Sequence, residues 1–395
     1  MNGGREAAGR DGRYGGTFSS VISGIGDLFT AKRTEPLLRE EVRIDGKSCL
    51  VTGASSGLGF AVACELVRRG GRVIVASRTA GTELAERIRE TVGDTDAGVR
   101  SGGAVGAAVT GRGGAAGAAG SAGAAGAAGA KTASAGNVWA EPLDLGRLES
   151  VVDFVRRLQN QEVQLDIAVF NAAVVAAQSR ETPDGFDEML QVNFLGKYLL
   201  VRKLLEAGVI PVGHGGHDAR RGDGPPQGGS RPRLVFVSSE AHRSGPDIDR
   251  ENPVAVDQYG MSGSMRYYGY SKLLLTTFTE ELARRLDHGE ASPAPEEEAA
   301  ASVLTLCPGA MNTGIAREAP RIFQPLLKGV FNLFFRSPEE AAEPVVYLAV
   351  SPDLEGRTGV YLHLTVPKEK DPRARDPETG ARLWRQSERL LGRYL

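Results

Sequence analysis

The stretch SCLVTGASSGLGFAVACELVRR, residues 48–69, decides the fold. It opens on a short apolar run, turns through Gly53, Ala54, Ser55, Ser56 and Gly57, and continues from Leu58 with apolar residues at helical spacing. A strand delivered by a glycine turn into a helix is the first half of a parallel β-α-β unit. Glycines at such a turn let backbone N–H groups approach an anion at the helix N-terminus, where the macrodipole also favours negative charge. The spacing alone carries little weight. In a chain with 52 glycines, any one three-glycine pattern arises about once by chance. Its placement between an apolar strand and an amphipathic helix is what counts, and the copies in the glycine-rich tract further along have neither neighbour.

Outward from this unit, β-branched runs at 48–52, 72–76, 138–143, 167–170, 234–237, 303–307 and 360–364 alternate with helical patterns. The helical patterns fall at 58–69, 82–91, 148–158, 186–205, 266–286, 338–348 and 380–391. Such alternation predicts a single doubly wound α/β domain of Rossmann type, with a mainly parallel seven-stranded sheet, over residues 46–365. An N-terminal extension, 1–45, precedes it, and a C-terminal extension, 366–395, carries a helix. The Gly/Ala tract at 94–136 has almost no large apolar side chain to offset its ordering entropy and reads as a disordered insert. Shorter inserts at 213–230 and 287–299, rich in Gly, Pro and Glu, lengthen the chain without adding a domain.

Composition narrows the function classes. With 41% hydrophobic and 24% charged residues the chain can bury a large core, and its formal net charge of -2 offers no global basic field for nucleic acid. The three cysteines, Cys49, Cys64 and Cys307, lie far apart in apolar segments without metal-ligand spacing, as reduced thiols in a cytoplasmic protein would. No apolar run is long enough to span a membrane. The modestly amphipathic stretch 17–31 reads as a helix packed on its own domain, with a membrane-surface anchor as the alternative, and the apolar segment RIFQPLLKGVFNLFF at 321–335 reads as a substrate lid, with a homodimer contact, a membrane-surface helix and core packing as alternatives.

One pair of residues points to chemistry. Tyr268-Gly269-Tyr270-Ser271-Lys272 sets Tyr268 and Lys272 four apart, on one face of a helix. This pairing is expected by chance only about 0.2 times.

Taken in order, these motifs resemble the short-chain dehydrogenase/reductase family. The glycines fall as Gly53-x-x-x-Gly57-x-Gly59, and Val237-Ser238-Ser239 and then Tyr268-x-x-x-Lys272 follow. The resemblance implies a catalytic set of Asn193, Ser239, Tyr268 and Lys272, with Ser238 as the rival serine. It implies that Gly53, Ser55, Ser56, Gly57, Leu58 and Gly59 cradle a pyrophosphate, and that Asp144, beside Leu145, meets an adenine amino group. Asn171 and Ala172 would stabilise the central sheet beside the cofactor, Asn193 would hold a relay water, and Pro308, Gly309 and Thr313 would form the nicotinamide loop. Phe170 stands where the family often has a first Asn, and Ala173 where it has Gly. The run Val237-Ser238-Ser239-Glu240-Ala241-His242 is similar to the retinol-dehydrogenase-like branch, which implies an apolar carbonyl or alcohol substrate.

The chemistry fits these residue types. A tyrosine of pKa about 10 becomes a useful acid/base near neutrality only when its phenolate is stabilised, as Lys272 and a positively charged nicotinamide would do. At the end of the second strand stands Ser77, not the acid that would hold a ribose 2′-hydroxyl, and Arg78 can pair with a 2′-phosphate. NADP is therefore expected, with NAD as the alternative. Two rival readings share the fold: a cofactor-binding sensor or scaffold without turnover, and an isomerase or dehydratase that keeps NAD tightly bound.

Overall fold

All five residues of β1 (Ser48–Thr52) are buried, so both faces of this strand are covered. The computed structural model describes residues 37–79, 81–101, 137–212, 231–249, 251–287, 301–309 and 337–395. The expectations for 17–31, for the insert beyond residue 101, for the inserts at 213–230 and 288–299, and for 321–335 lie outside the described residues.

The strands β1, β2 (Arg72–Ser77), β3 (Val138–Pro142), β4 (Ile167–Phe170), β5 (Arg233–Val237), β6 (Ser302–Cys307), β7 (Tyr361–His363) and β8 (Val366–Pro367) form one sheet. Their order is β3-β2-β1-β4-β5-β6-β7-β8. The sheet thus has eight strands where seven were expected. The addition is a two-residue antiparallel strand that pairs Val366 with His363 and Pro367 with Leu362, too short to leave a periodic signal. Val51 of β1 pairs with Val75 of β2 on one side and Val169 of β4 on the other. Here the winding reverses, and the carboxyl ends of β1 and β4 border the crevice where open α/β sheets hold ligands.

Alternation along the strands divides the core into two layers. Leu50, Ile74, Ala168, Phe170, Leu234, Phe236 and Val303 point to one face. There they meet α3 (Leu148–Asn160), α4 (Gly196–Glu206) and α5 (Met261–Asp287). Cys49, Val51, Val73, Val75, Val169, Val235, Leu304 and Leu306 point to the other. That face is covered by α1 (Gly57–Arg68), α2 (Thr82–Ser101) and α6 (Pro338–Val350). Helix α2 continues to Ser101, past the expected start of the Gly/Ala insert at 94. Extending an existing helix needs no new nucleus, so weak formers can follow a strong start. Among the described residues no helix is long and apolar enough to cross a membrane.

Beyond the sheet, a short helix α7 (Pro372–Arg375) leads to α8 (Pro377–Leu391), which carries Leu383, Trp384 and Leu391 into the first core layer. The Trp384 ring stacks on Phe278 at 5.9 Å and meets Tyr198 edge-on at 5.2 Å. Arg285 and Arg202 lie over it, 4.5 and 4.9 Å from the ring centroid. Trp384→Ala is expected to lower unfolding stability by about 3–5 kcal/mol. An unchanged denaturant midpoint would show that α8 merely rests on the surface.

The first layer also holds a charge-bearing side chain. Lys197 of α4 is fully buried, and its amine has no hydrogen-bond partner among the described residues. Burial, reinforced by the nearby Lys272, holds its pKa well below the ordinary 10.5. The folded chain binds this proton less readily than the unfolded chain does, so unfolding is coupled to proton uptake and stability rises as pH climbs toward 10.5. Lys197→Met should therefore stabilise the protein at pH 7 by about 1–3 kcal/mol and flatten this pH dependence. Denaturant melts at pH 7 and 9.5 check both effects.

Candidate functional site

The glycine turn is fixed from two sides. Asn171, just past β4, donates from Nδ2 to the carbonyls of Thr52 (3.0 Å) and Gly53 (3.2 Å). Thr52 Oγ1 donates to the Val169 carbonyl and accepts the Ala172 amide. A Cβ at Gly59 would lie 2.4 Å from the Gly53 carbonyl oxygen and 2.5 Å from Asn171 Nδ2, so only glycine allows this closure. Helix α1 opens at Gly57 behind Ser56, with no side-chain cap and no acid in its first turn. Ser56 is exposed and Ser55 half-buried, whereas the Leu58 side chain is buried and only its backbone remains at the turn.

Neighbouring strand ends extend the crevice. Ser77, at the end of β2, is buried with its hydroxyl unpartnered, while the adjacent Arg78 is exposed and makes no ion pair with any described residue. Past β3, Asp144 accepts the Gly146 amide at 2.9 Å, and its own amide donates to Ser150 Oγ at 3.0 Å. Leu145 points into the core, so its side chain is not a ligand contact. An uncapped helix N-terminus, a closed glycine turn and an unpartnered buried hydroxyl along one crevice fit the pyrophosphate and ribose of a dinucleotide. Among the described residues no cluster of His, Cys, Asp or Glu could hold a metal ion.

The second half of the sheet carries the reactive groups. At the end of β5, Ser238 is buried with its hydroxyl 2.8 Å from Thr276 Oγ1, turned into α5. Ser239 is only half-buried. It caps a 3-10 turn at Glu240–Arg243, accepting the Ala241 amide at 3.2 Å, and its hydroxyl lies close enough to the Tyr268 phenol to favour the ionised form. Close packing of α5 on this turn makes that contact: a Cβ at Gly269 would fall 2.5 Å from the Ala241 carbonyl oxygen.

Lys272 is buried one helical turn further along, its Nζ donating to the Val237 carbonyl at 3.0 Å and lying 5.7 Å from the centre of the Tyr268 ring. Burial draws the Lys272 pKa down to about 8. Burial also pushes the half-buried Tyr268 up to about 12, with the Cys307 thiol adding to the rise and the Ser239 bond opposing it.

Asn193 sits in a π-helical turn, Gln191–Leu195, a distortion common at functional sites. Its side chain is fully engaged: Oδ1 accepts the Val174 amide, and Nδ2 donates to the Val174 carbonyl and to Ser271 Oγ, at 2.9 to 3.0 Å. Ser271 in turn donates to the Tyr268 carbonyl at 2.8 Å, which ties the π-turn to α5. Pro308 and Gly309 follow β6 beside this group, while Thr313 lies outside the described residues. Phe170 is part of the core, stacked on Phe236 at 4.6 Å, so an apolar residue suits that strand end.

The structure therefore brings Asn193, Ser239, Tyr268 and Lys272 together and sets the glycine turn, Ser77, Arg78 and Asp144 along the adjoining strand ends. Sequence reasoning missed Ser271 and Thr52, whose roles depend on backbone carbonyls that no side-chain pattern reveals. It also gave no role to His242, which is fully buried against Ser239.

No family model matches the chain. It is 32% identical to retinol dehydrogenase 14 of Homo sapiens over 387 residues, covering 95% of this chain and 98% of that protein. The mouse retinol dehydrogenase 14 is also 32% identical, over 88% of this chain and 86% of its own length. Polyprenol dehydrogenase of Mus musculus is 31% identical over 88% of this chain and 84% of that protein. Among solved structures, a short-chain dehydrogenase from Salmonella enterica serovar Typhi shares the fold, with a TM-score of 0.50 at 17% identity over 83% of this chain and 99% of that one. With the glycine turn, the serine and the Tyr268–Lys272 pair in place, the chain belongs to the short-chain dehydrogenase/reductase family, in its retinol-dehydrogenase-like branch, and is an NAD(P)-dependent oxidoreductase.

Proposed function

We propose that the protein interconverts a carbonyl and an alcohol on an apolar substrate with NADP(H), and that Tyr268 is the acid/base. The observation that carries this reading is the contact of Ser239 with the Tyr268 hydroxyl beside the buried Lys272 amine. When bound, the nicotinamide supplies or takes up the hydride at the substrate carbon. Ser239 orients the substrate oxygen, and Tyr268 gives that oxygen its proton in reduction or removes it in oxidation. Lys272, held by the Val237 carbonyl, keeps positive charge near the phenol and favours its ionised form.

Apolar selectivity draws support from two sources. The relatives are named for retinol and polyprenol. On α5, Met261 and Met265, 70% and 38% exposed, precede Tyr268 and Lys272 at helical spacing, which lays a flexible apolar track toward the phenol. The choice of NADP is supported by the unpaired Arg78 and by the neutral Ser77 where an acid would repel a 2′-phosphate.

Reduction of a long polyene aldehyde with NADPH, set against a short aldehyde, tests the activity. Tyr268→Phe should lower turnover by more than about a hundred-fold while cofactor binding stays near the parent value. Substantial activity in that variant would move the acid/base role elsewhere. Arg78→Ala should weaken NADPH by about 1–3 kcal/mol and leave NADH nearly unchanged. Equal losses for both cofactors in a binding titration would remove Arg78 from the 2′-phosphate.

A further inference from the structure

We infer that His242 is a positioning residue for Ser239, and that the segment 368–373 beyond the last strand holds it in place, so the C-terminal extension completes the active site. The inference rests on the reading of Ser239 as the group that orients the substrate oxygen.

The His242 ring is fully buried, and each of its nitrogens has one partner. The Asp371 amide lies 3.2 Å from Nε2 and can only donate, so Nε2 carries no proton. The neutral ring then has its proton on Nδ1, which donates to the Ser239 carbonyl at 2.7 Å. Tyr361 of β7 meets the ring edge-on at 5.6 Å and fixes its tilt. The charged and titratable groups around it are Glu240 and Arg243 on its own turn, Asp371 on the C-terminal segment and Tyr361. Burial outweighs their effects and draws the His242 pKa down to about 4, so the ring is a fixed donor and not an acid/base at neutral pH.

The segment that supplies the Asp371 amide is itself fastened to the serine turn at several points. Arg373 donates to the carbonyls of Gly245 (2.8 Å) and Arg243 (3.0 Å) and pairs with Asp371 at 3.0 Å. Glu240 receives Lys368 and the Tyr361 hydroxyl, both at 2.7 Å, and Lys370 pairs with Glu280 on α5. Ser239 begins the 3-10 turn in an extended conformation, so the direction of its hydroxyl follows from where its carbonyl is held. A hydrogen bond to that carbonyl from a ring anchored at both ends fixes the hydroxyl against Tyr268.

The test compares His242→Phe, which keeps the ring volume without a donor, with His242→Asn, whose amide can donate near the Nδ1 position. Turnover, KM, NADPH affinity and melting temperature are measured for each, alone and in a Ser239→Ala background. His242→Phe should lower kcat by about ten-fold or more with NADPH affinity unchanged, His242→Asn should recover most of kcat, and His242→Phe should cost nothing further once Ser239 is Ala. Equal kcat for the Asn and Phe variants, or a full additional loss in the Ser239→Ala background, overturns the positioning role. If His242→Phe does not fold, His242→Gln replaces it: its amide reaches the Nε2 position, so it should be slow where His242→Asn is fast, and equal rates overturn the inference. Full activity of Ser239→Ala would overturn the reading of the serine itself, a result distinct from failure of the histidine.

Discussion

The Asn171 side chain bridges the two central strands at the one place where the winding of the sheet reverses. Because its amide is bonded to the last carbonyls of β1, the glycine turn cannot drift from the end of β4. Everything on either side is referenced to that junction. The β1-β2-β3 half presents a helix N-terminus, Ser77 and Arg78 to a nucleotide, and the β4-β5-β6 half presents Asn193, Ser239, Tyr268 and Lys272. In the proposed function, binding and chemistry fall to opposite halves of the sheet, and both are positioned from the same seam.

Polar chemistry inside such a core carries a desolvation cost. Lys272 and Lys197 are both buried, and neither has an ion-pair partner among the described residues. Lys272 keeps one carbonyl acceptor and a pKa near 8, whereas Lys197 has no acceptor among the described residues and its pKa is held well below the ordinary value. Two neighbouring ammonium groups would repel, so the lowered pKa of Lys197 lessens the competing charge beside Lys272. Packing of the surrounding apolar layer, with Tyr198, Phe194 and Phe278 in edge-on and tilted contacts, holds these amines where solution chemistry would not.

Much of this arrangement was legible in the residue order because it depends on local pattern. Strands buried on both faces read as continuous apolar runs, and Tyr268 and Lys272 share a helix face whatever else surrounds them. What escaped depends on distance along the chain. His242 and Asp371 meet across 129 residues, and no periodicity links them. Two adjacent serines are equivalent as text, and only the resemblance separates Ser239 from Ser238 there. In space they differ, because the Ser238 hydroxyl is taken by Thr276. Strand β8 was too short to register, and the end of α2 was obscured because a glycine- and alanine-rich tail can either continue a helix or leave it.

Helix α8 closes the first core layer with residues that follow every strand of the sheet in the chain. On the ribosome, β1 to β6 can be synthesised and begin to pair while the socket that receives Trp384, formed by Tyr198, Phe278 and the two arginines, is still open. The strap that anchors His242 also lies downstream of β7. A nascent chain arrested before residue 368 would therefore leave that aromatic surface uncovered and lack the strap on the serine turn. Both the strap on the serine turn and the helix that completes this core layer thus follow the last strand of the sheet in order of synthesis.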